Sequence, residues 1–213
     1  MKIGIIGSGI VAQTLAAGFI QHGHDVTLGT RDAARLADYA ARTPGVRVAG
    51  SAEAAAFGDV VVLAVKGSAA LQAVRGAGAG AGLDGKPVLD TTNPIADAAP
   101  TDGVLSFFTG PNESLMEQLQ REYPRARFVK AFNSVGAARM IAPAFADGPP
   151  TMFIAGNDAD AKSVAARLLA EVGWDVADMG TAGAARAIEP LAMLWCIPGF
   201  RENSWTHAFK LLR

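Results

Sequence analysis

The sequence has few of the residues that build disulfides and metal sites. It contains one cysteine, Cys196, and three scattered histidines. An intrachain disulfide is therefore excluded, and a structural zinc site is not expected. A single cysteine is typical of proteins in reducing compartments, which predicts a cytoplasmic location without a metal centre.

Strong charge and long apolar runs are also missing. The 213 residues carry a formal net charge of −1, which argues against nucleic-acid or membrane-surface binding by bulk charge. No apolar run reaches the roughly 20 residues that a membrane-spanning helix requires. The N-terminal apolar run is interrupted by Gly4, Gly7 and Gly9 and lacks a cleavage signal, so we expect no signal peptide. Neither a nucleic-acid partner nor a membrane partner is expected.

A glycine-rich turn near the start is the most informative motif present. Gly-x-Gly-x-x-Ala over residues 7–12 follows a short apolar run and precedes a helical pattern, which is typical of a dinucleotide-binding unit. Gly7 permits the turn, Gly9 lets the backbone approach a pyrophosphate, and Ala12 lets the helix pack closely. A purely structural turn is the alternative. The predicted contacts are Gly7, Ser8, Gly9, Ile10, Val11 and Ala12.

The end of the second predicted strand indicates which dinucleotide is bound. An acidic residue there would select NAD through the 2′-hydroxyl, but the sequence has Thr30 and Arg31. Arg35 lies one helical turn beyond Arg31, so both guanidinium groups can face one 2′-phosphate. The alternative is an ordinary solvated helix start capped by Asp32. The pattern favours NADP.

Three later strands end in small or polar residues, where ligands bind in open α/β sheets. Ala64 lies near the end of the clearest buried strand, predicted over residues 59–65, and Lys66 follows it at the carboxyl edge. Lys66 is either a phosphate or ribose contact or a surface lysine. Asn93 is either a ribose contact or a turn residue. Asn133 is a candidate for the carboxamide or the second substrate, with a strand cap as the alternative. Small residues such as Ala137 would leave room for a flat ring.

The alternation of strand and helix patterns predicts an α/β fold. We expect a doubly wound, mainly parallel Rossmann-type sheet over residues 1–180. Residues 181–213 are predicted to form a short helical tail, with Trp205, Phe209 and Leu212 at helical spacing. This apolar tail is expected near the substrate site or at a dimer interface, with core packing as the alternative. The glycine-rich residues 75–82 predict a helix end or loop.

Several motifs together resemble one known family. They are Gly7-Ser8-Gly9-Ile10-Val11-Ala12, Gly29-Thr30-Arg31-Asp32, Asn93-Pro94, Lys130-Ala131-Phe132-Asn133, Gly156-Asn157-Asp158 and Ala185-Arg186-x-x-Glu189-Pro190-Leu191. Over nearly the whole chain, the sequence resembles the NADPH-dependent deazaflavin (coenzyme F420) reductases. The NADPH-binding domain of the STEAP metalloreductases is similar too.

The resemblance implies NADPH across the strand ends, with a flavin-like ring stacked on the nicotinamide. It implies 2′-phosphate contacts at Thr30, Arg31 and Arg35, with nicotinamide-side contacts near Asn93, Asn133 and Ala137. It also implies a homodimer whose tails border the second-substrate site.

The expected function is hydride transfer between NADP(H) and a deazaflavin or flavin-like acceptor. One segment departs from the family, because residues 133–136 read Asn-Ser-Val-Gly where a His-Thr-Ile-Pro pattern is common. Another flavin or a small molecule therefore stays open as acceptor. Alternatives are a non-catalytic NADPH-binding module, or a reductase of a small carbonyl or imine. The second alternative needs a long helical domain, for which roughly 30 residues after the last strand are too few.

Overall fold

Eight strands form one sheet in a computed structural model that describes residues 1–78 and 82–212. The strands are β1 (Lys2–Ile6), β2 (Asp25–Gly29), β3 (Val46–Ala49), β4 (Val60–Leu63), β5 (Pro87–Asp90), β6 (Arg127–Lys130), β7 (Thr151–Gly156) and β8 (Asp175–Asp178). Their order across the sheet is β3-β2-β1-β4-β5-β6-β7-β8. This order winds outward in both directions from β1 and β4, as a doubly wound fold requires.

Helices connect the strands. They are α1 (Ile10–Gln21), α2 (Ala37–Arg42), α3 (Ser51–Phe57), α4 (Ala70–Gly76), α5 (Leu115–Glu122), α6 (Ala159–Glu171) and α7 (Ala185–Glu202). Short 3₁₀ turns lie at Ala33–Leu36, Gly67–Ala69, Ala137–Arg139 and Ala182–Ala184. Among helices in the described part of the chain, none is both long and apolar enough to cross a membrane. Helix α4 ends at Gly76, within the stretch predicted to end a helix, although residues 79–81 lie outside the described ranges.

The sheet is parallel from β3 to β6, and its direction reverses once. Strand β7 runs antiparallel to β6, with Val129 opposite Gly156, and β8 runs parallel to β7. The prediction of a mainly parallel α/β sheet is confirmed. Because β1 to β6 are parallel, their carboxyl ends meet at one edge, which is called the carboxyl edge below. The turn after Gly156 opens at the opposite edge.

The core has two apolar layers, one on each face of the sheet. Successive residues of β4 alternate between them: Val60 and Val62 pack with α1 and α6, whereas Val61 and Leu63 pack with α4 and α5. Side chains alternate in this way along any strand. All four are fully or almost fully buried, as a central parallel strand requires.

The C-terminal segment differs from the prediction. Helix α7 continues through Pro190 and Pro198 and ends at Glu202, and the next residue, Asn203, has a left-handed backbone with φ of 53°. Residues 203–212 then carry no helix, so the helical spacing expected for Trp205, Phe209 and Leu212 is wrong. The physical reason is a chain reversal that folds the Trp205 ring onto Gly199.

The reversed segment is anchored by hydrogen bonds to backbone carbonyls. The Trp195 indole N–H donates to the His207 carbonyl at 2.8 Å, and the His207 ring bonds to the Trp195 carbonyl at 2.9 Å. Further on, the Thr151 N–H donates to the Phe209 carbonyl at 2.8 Å. The end of the chain therefore runs from α7 back to the start of β7.

Candidate functional site

The glycine turn adopts a conformation that depends on its first glycine. Gly7 has φ of 143°, and its N–H donates to the Gly29 carbonyl at 2.9 Å. A Cβ at Gly7 would lie 2.1 Å from the Ala64 carbonyl oxygen and 3.4 Å from the Ala12 side chain. The turn is thus pressed between two neighbours, and only glycine fits it.

The second glycine leaves the start of α1 open. Gly9 is the N-cap residue of α1, and no side chain in the described residues caps this terminus. A Cβ at Gly9 would meet nothing within 4 Å. The first N–H groups of α1 are therefore free to bind an anion that approaches the backbone directly. This open cradle fits a pyrophosphate.

The predicted contacts on α1 have different environments. Ile10 is 68% exposed, although it is a large apolar residue at the mouth of the turn. Ser8 and Val11 are half-buried, and Ala12 is fully buried against the turn. The side chains of Ser8, Ile10 and Val11 can therefore touch a ligand, whereas Ala12 acts through close packing.

The end of β2 presents two free cations. Arg31 and Arg35 are both exposed, and neither guanidinium forms an ion pair with the described residues. The Thr30 hydroxyl bonds locally to Asp32 at 3.2 Å. Asp32 accepts from the Ala34 N–H at 3.0 Å, so this carboxylate caps the following turn. The segment fits a phosphate monoester better than a bare ribose.

Lys66 lies at the end of β4 and is already paired. Its ammonium forms an exposed ion pair with Asp97. A cavity of about 360 Å³ adjoins this pair. The wall is mainly apolar and comprises Gly67, Ser68, Leu71, Ala96, Asp97, Phe108, Leu115 and Gln118. Neither the ion pair with Asp97 nor this cavity could be predicted from the sequence, because the loop that contains Asp97 shows no regular pattern.

Asn93 and Asn133 are brought together at the carboxyl edge. Asn93 Nδ2 donates to the Asn133 backbone carbonyl at 2.8 Å, and Asn133 Nδ2 donates to Asn93 Oδ1 at 3.0 Å. Asn133 Nδ2 also donates to the Ile188 carbonyl at 3.0 Å. Both of its partners accept only, so the amide orientation is fixed. Within the described chain, the buried Asn133 Oδ1 has no donor.

A buried ion cluster lies directly beneath this amide pair. Lys130 Nζ is 2.6 Å from Asp90 Oδ2 and 2.8 Å from Glu189 Oε1, and all three side chains are at most 2% exposed. Lys130 also donates to the Thr92 carbonyl at 2.7 Å. Burial alone lowers the pKa of Lys130, but the two carboxylates outweigh it and raise this pKa above its ordinary value. Removal of one partner from such a cluster typically costs about 3–5 kcal/mol.

The second negative charge of the cluster is balanced by a helix terminus. Glu189 accepts from the Leu115 N–H at 2.9 Å and from the Met116 N–H at 3.0 Å, at the start of α5. Free N–H groups and the positive end of the helix dipole both favour a carboxylate there. Next to it, Arg186 of α7 pairs with Glu117 of α5 at 2.6 Å. Two acidic residues thus join α5 to α7.

The segment after β6 closes over the carboxyl edge. Phe132 has a left-handed backbone with φ of 57° and is fully buried against Phe19. Non-glycine residues in this conformation often mark functional sites. Further on, a Cβ at Gly136 would lie 2.6 Å from the Trp195 ring, and half-buried Ala137 begins a 3₁₀ turn. Trp195 of α7 therefore covers the loop that contains the predicted nicotinamide contacts.

Sequence patterns missed the ion cluster. Lys130 ends an apolar strand and Asp90 ends its neighbour, which is a usable signal, because a buried lysine needs an acidic partner. Glu189 stands in the motif at residues 185–191, but that motif does not indicate a charged partner. Its place beside them depends on how α7 packs across the sheet edge.

Comparisons with known proteins agree with this geometry. Residues 2–94 match a family described as NADP oxidoreductase, coenzyme F420-dependent. A crystal structure from Arthrobacter sp. FB24, of a protein assigned as an F420-dependent NADP reductase, is 35% identical to this chain. Its TM-score is 0.93, and the match covers 100% of both chains.

Two further proteins are similar to this chain at lower sequence identity. The rat metalloreductase STEAP3 is 29% identical over 205 residues, which are 92% of this chain and 38% of STEAP3. This chain therefore spans well under half the length of that relative. A Streptomyces aurantiacus imine reductase has a TM-score of 0.70 at 18% identity, over 94% of this chain and 63% of the reductase. At that identity the match shows a shared fold alone.

The fold and these matches together define an NADP-dependent oxidoreductase of Rossmann type. More narrowly, the chain belongs to the coenzyme F420-dependent NADP oxidoreductase family. The family predicted from the sequence motifs is confirmed.

Proposed function

We propose that the protein transfers hydride between NADP(H) and a deazaflavin of the F420 type. The observation that carries this proposal is the open start of α1 at Gly9, with the free cations Arg31 and Arg35 at the neighbouring strand end. A dinucleotide with an extra phosphate matches both features. The relative from Arthrobacter, assigned as an F420-dependent NADP reductase, supports the choice of acceptor.

Bound NADPH would supply a hydride, which carries two electrons and one proton. In the proposed reaction NADPH becomes NADP⁺, and the deazaflavin takes the hydride together with one solvent proton. The protein's part is orientation, which can account for much of the rate in such reactions. Gly9 and α1 would hold the pyrophosphate, whereas Arg31 and Arg35 would hold the 2′-phosphate.

The nicotinamide end would be held by the amide pair. The unpartnered Asn133 Oδ1 is suited to accept from a carboxamide N–H, and Asn93 keeps the Asn133 side chain in place. Ala64, Lys66 and Ala137 would border the ribose and the ring. The apolar cavity beside Lys66, with Phe108 45% exposed, is our candidate for the acceptor ring.

Binding and turnover with defined partners test the proposal. Titration should show tighter binding of NADPH than of NADH, and stopped-flow absorbance should show NADPH oxidation by F420. FMN and FAD serve as comparison acceptors. Tight NADPH binding without oxidation by F420 would contradict the deazaflavin proposal. Faster oxidation by FMN or FAD would assign the site to a flavin.

We also infer that the protein works as a homodimer in a reducing cytoplasmic setting. Leu194 and Phe200 of α7 are 54% and 45% exposed, and Leu212 at the end of the chain is 82% exposed. Large apolar side chains on one segment favour a second copy as their partner. Sedimentation at micromolar protein concentration tests this, and a monomer would contradict it.

A further inference from the structure

We propose that Lys130 and Glu189 are positioning residues that hold Asn133 at the nicotinamide edge. They would act through the ion cluster, defined as Asp90, Lys130 and Glu189, without touching the cofactor. The proposal rests on the proposed function to the extent that Asn133 contacts the nicotinamide. It adds a role for buried charges that hydride transfer itself does not need.

The first argument is the register of two neighbouring strands. Asp90 and Lys130 are the last residues of β5 and β6 and lie directly opposite each other. Asn93 and Asn133 follow each of them by three residues. The ion pair therefore ties together the two strand ends from which the amide pair projects. Any change in the spacing of these ends would change the amide pair.

The second argument is that α7 meets both pairs through consecutive residues. The Ile188 carbonyl accepts from Asn133 Nδ2 at 3.0 Å. The next side chain, Glu189, lies 2.8 Å from Lys130 Nζ. These residues share one turn of a helix, so a shift of the Glu189 carboxylate also moves the carbonyl that fixes the Asn133 amide. The cluster thereby sets where Asn133 Oδ1 points.

The third argument is that each carboxylate oxygen of Glu189 is needed. Oε1 faces Lys130 and the Met116 N–H, and Oε2 accepts from the Leu115 N–H. A glutamine has only one acceptor oxygen, so Glu189→Gln must place an NH₂ group against a donor on one side. Relief of that contact requires α7 to move relative to β6 or α5. Size and shape are otherwise conserved.

The experiment compares the binding of two ligands that share the adenosine 2′-phosphate half of the cofactor. NADPH reaches the nicotinamide edge, whereas 2′,5′-ADP carries only the adenosine side with its 2′-phosphate. We expect Glu189→Gln to weaken NADPH binding by about three- to tenfold, since one hydrogen bond is misaligned. Affinity for 2′,5′-ADP should stay unchanged. The emission of bound NADPH should also shift toward that of free NADPH, because the ring is held less firmly.

The matched control is Glu117→Gln. Glu117 also joins α5 to α7, through Arg186, but it touches neither Lys130 nor Asn133. A merely structural link would make both variants less stable and leave the NADPH to 2′,5′-ADP affinity ratio unchanged. Equal ratios in the two variants would overturn the proposal.

A double-mutant cycle with Asn133→Ala separates a direct path from an indirect one. If Glu189 acts through Asn133, the effects of Glu189→Gln and Asn133→Ala on NADPH affinity should not add. Fully additive effects would overturn the proposal. Both readouts are independent of turnover, so failure of hydride transfer to F420 would reject the proposed acceptor and leave this test intact.

A variant with an uncharged cluster tests the proposal if the single substitution unfolds the protein. Asp90→Asn, Lys130→Met and Glu189→Gln together remove all three charges at nearly constant volume, a replacement that buried ion clusters often tolerate. The triple variant should fold and show the same selective loss of NADPH affinity. An unchanged affinity ratio, or failure of this variant to fold, would assign the cluster to stability alone.

Discussion

Asn93 and Asn133 hold each other by two reciprocal hydrogen bonds, of 2.8 Å and 3.0 Å, across the ends of adjacent strands. The arrangement uses every polar atom of the Asn133 amide except Oδ1. A buried carbonyl oxygen without a donor is costly, at about 1–3 kcal/mol. A ligand that supplies the missing N–H would recover this energy.

Asn133→Ala should therefore weaken the nicotinamide half of binding selectively. We expect NADPH affinity to fall about tenfold, which corresponds to the loss of one hydrogen bond. Affinity for 2′,5′-ADP should not change, because that ligand lacks the nicotinamide. Isothermal titration of both ligands checks this. Equal losses for the two would place Asn133 outside the nicotinamide site.

Arg31→Ala should change cofactor choice. Charge-assisted bonds contribute about 1.5–3 kcal/mol each, so NADPH affinity should fall about ten- to a hundredfold. NADH, which lacks the 2′-phosphate, should bind almost as before. Arg42→Ala, on the exposed last turn of α2, is the control and should affect neither cofactor. If NADH binding falls as much as NADPH binding, Arg31 does not contact the 2′-phosphate.

The two glycines of the turn should respond in opposite ways. Gly9→Val should abolish dinucleotide binding with a melting temperature close to the wild type, because its side chain enters only open space above α1. Gly7→Ala should instead destabilise the fold by about 1–3 kcal/mol from backbone strain alone. Thermal unfolding and NADPH titration of both variants check this. Tight NADPH binding by Gly9→Val would show that the cofactor lies elsewhere.

The ion pair between Glu117 and Arg186, which joins α5 to α7, should make the free energy of unfolding depend on pH in the acidic range. The Arg186 guanidinium, aided by the Ser114 hydroxyl and N–H, holds the pKa of Glu117 at about 2, below its ordinary 4.5. Because the folded-state pKa is depressed, this stabilisation is present above pH 4.5 and is lost as pH falls toward about 2. Urea unfolding across that pH range should show a smaller loss of unfolding free energy for Glu117→Gln than for the wild type. Identical pH profiles would contradict the assignment.

Truncation after Glu202 should impair assembly and turnover more than cofactor binding. The cut removes the Trp205 ring from Gly199 and breaks the contacts between Thr151 and the end of the chain. NADPH should still bind, since α1 and β2 are untouched. Removal of Arg213 alone is the control, because it keeps Leu212 and the Phe209 and Leu211 contacts with Thr151. Full activity in a dimeric truncated protein would refute this expectation.

Local patterns could predict the strand, glycine turn and helix at the start of the chain, because their residues are close in sequence. Gly7, Gly9 and Ala12 lie within one turn, and Arg31 lies just beyond the next strand. The mainly parallel sheet could be predicted for the same reason, because each connecting helix returns the chain to the edge at which the previous strand began. The complete ion cluster could not be predicted, because Glu189 reaches Lys130 only through the packing of α7.

The end of the chain was mispredicted for a different reason. The tail was expected to be helical as far as Leu212, but α7 ends at Glu202. Pro198 does not end it earlier, because it removes only one helical hydrogen bond, from the exposed Leu194, whose carbonyl can be solvated instead. Beyond it, the spacing of Trp205 and Phe209 matched a helix by coincidence. Their partners, Gly199 and Thr151, lie in other elements and are invisible to periodicity.

The reversal of β7 has a practical use. The turn at Gly156 and the start of α6 face away from the carboxyl edge, and Asp160 there is exposed. A dye or a solid support coupled at residue 160 would leave the carboxyl edge, where we propose that NADPH binds, facing solution. Immobilised protein should therefore keep the NADPH affinity of the free protein, which makes this edge a suitable attachment site for a biosensor.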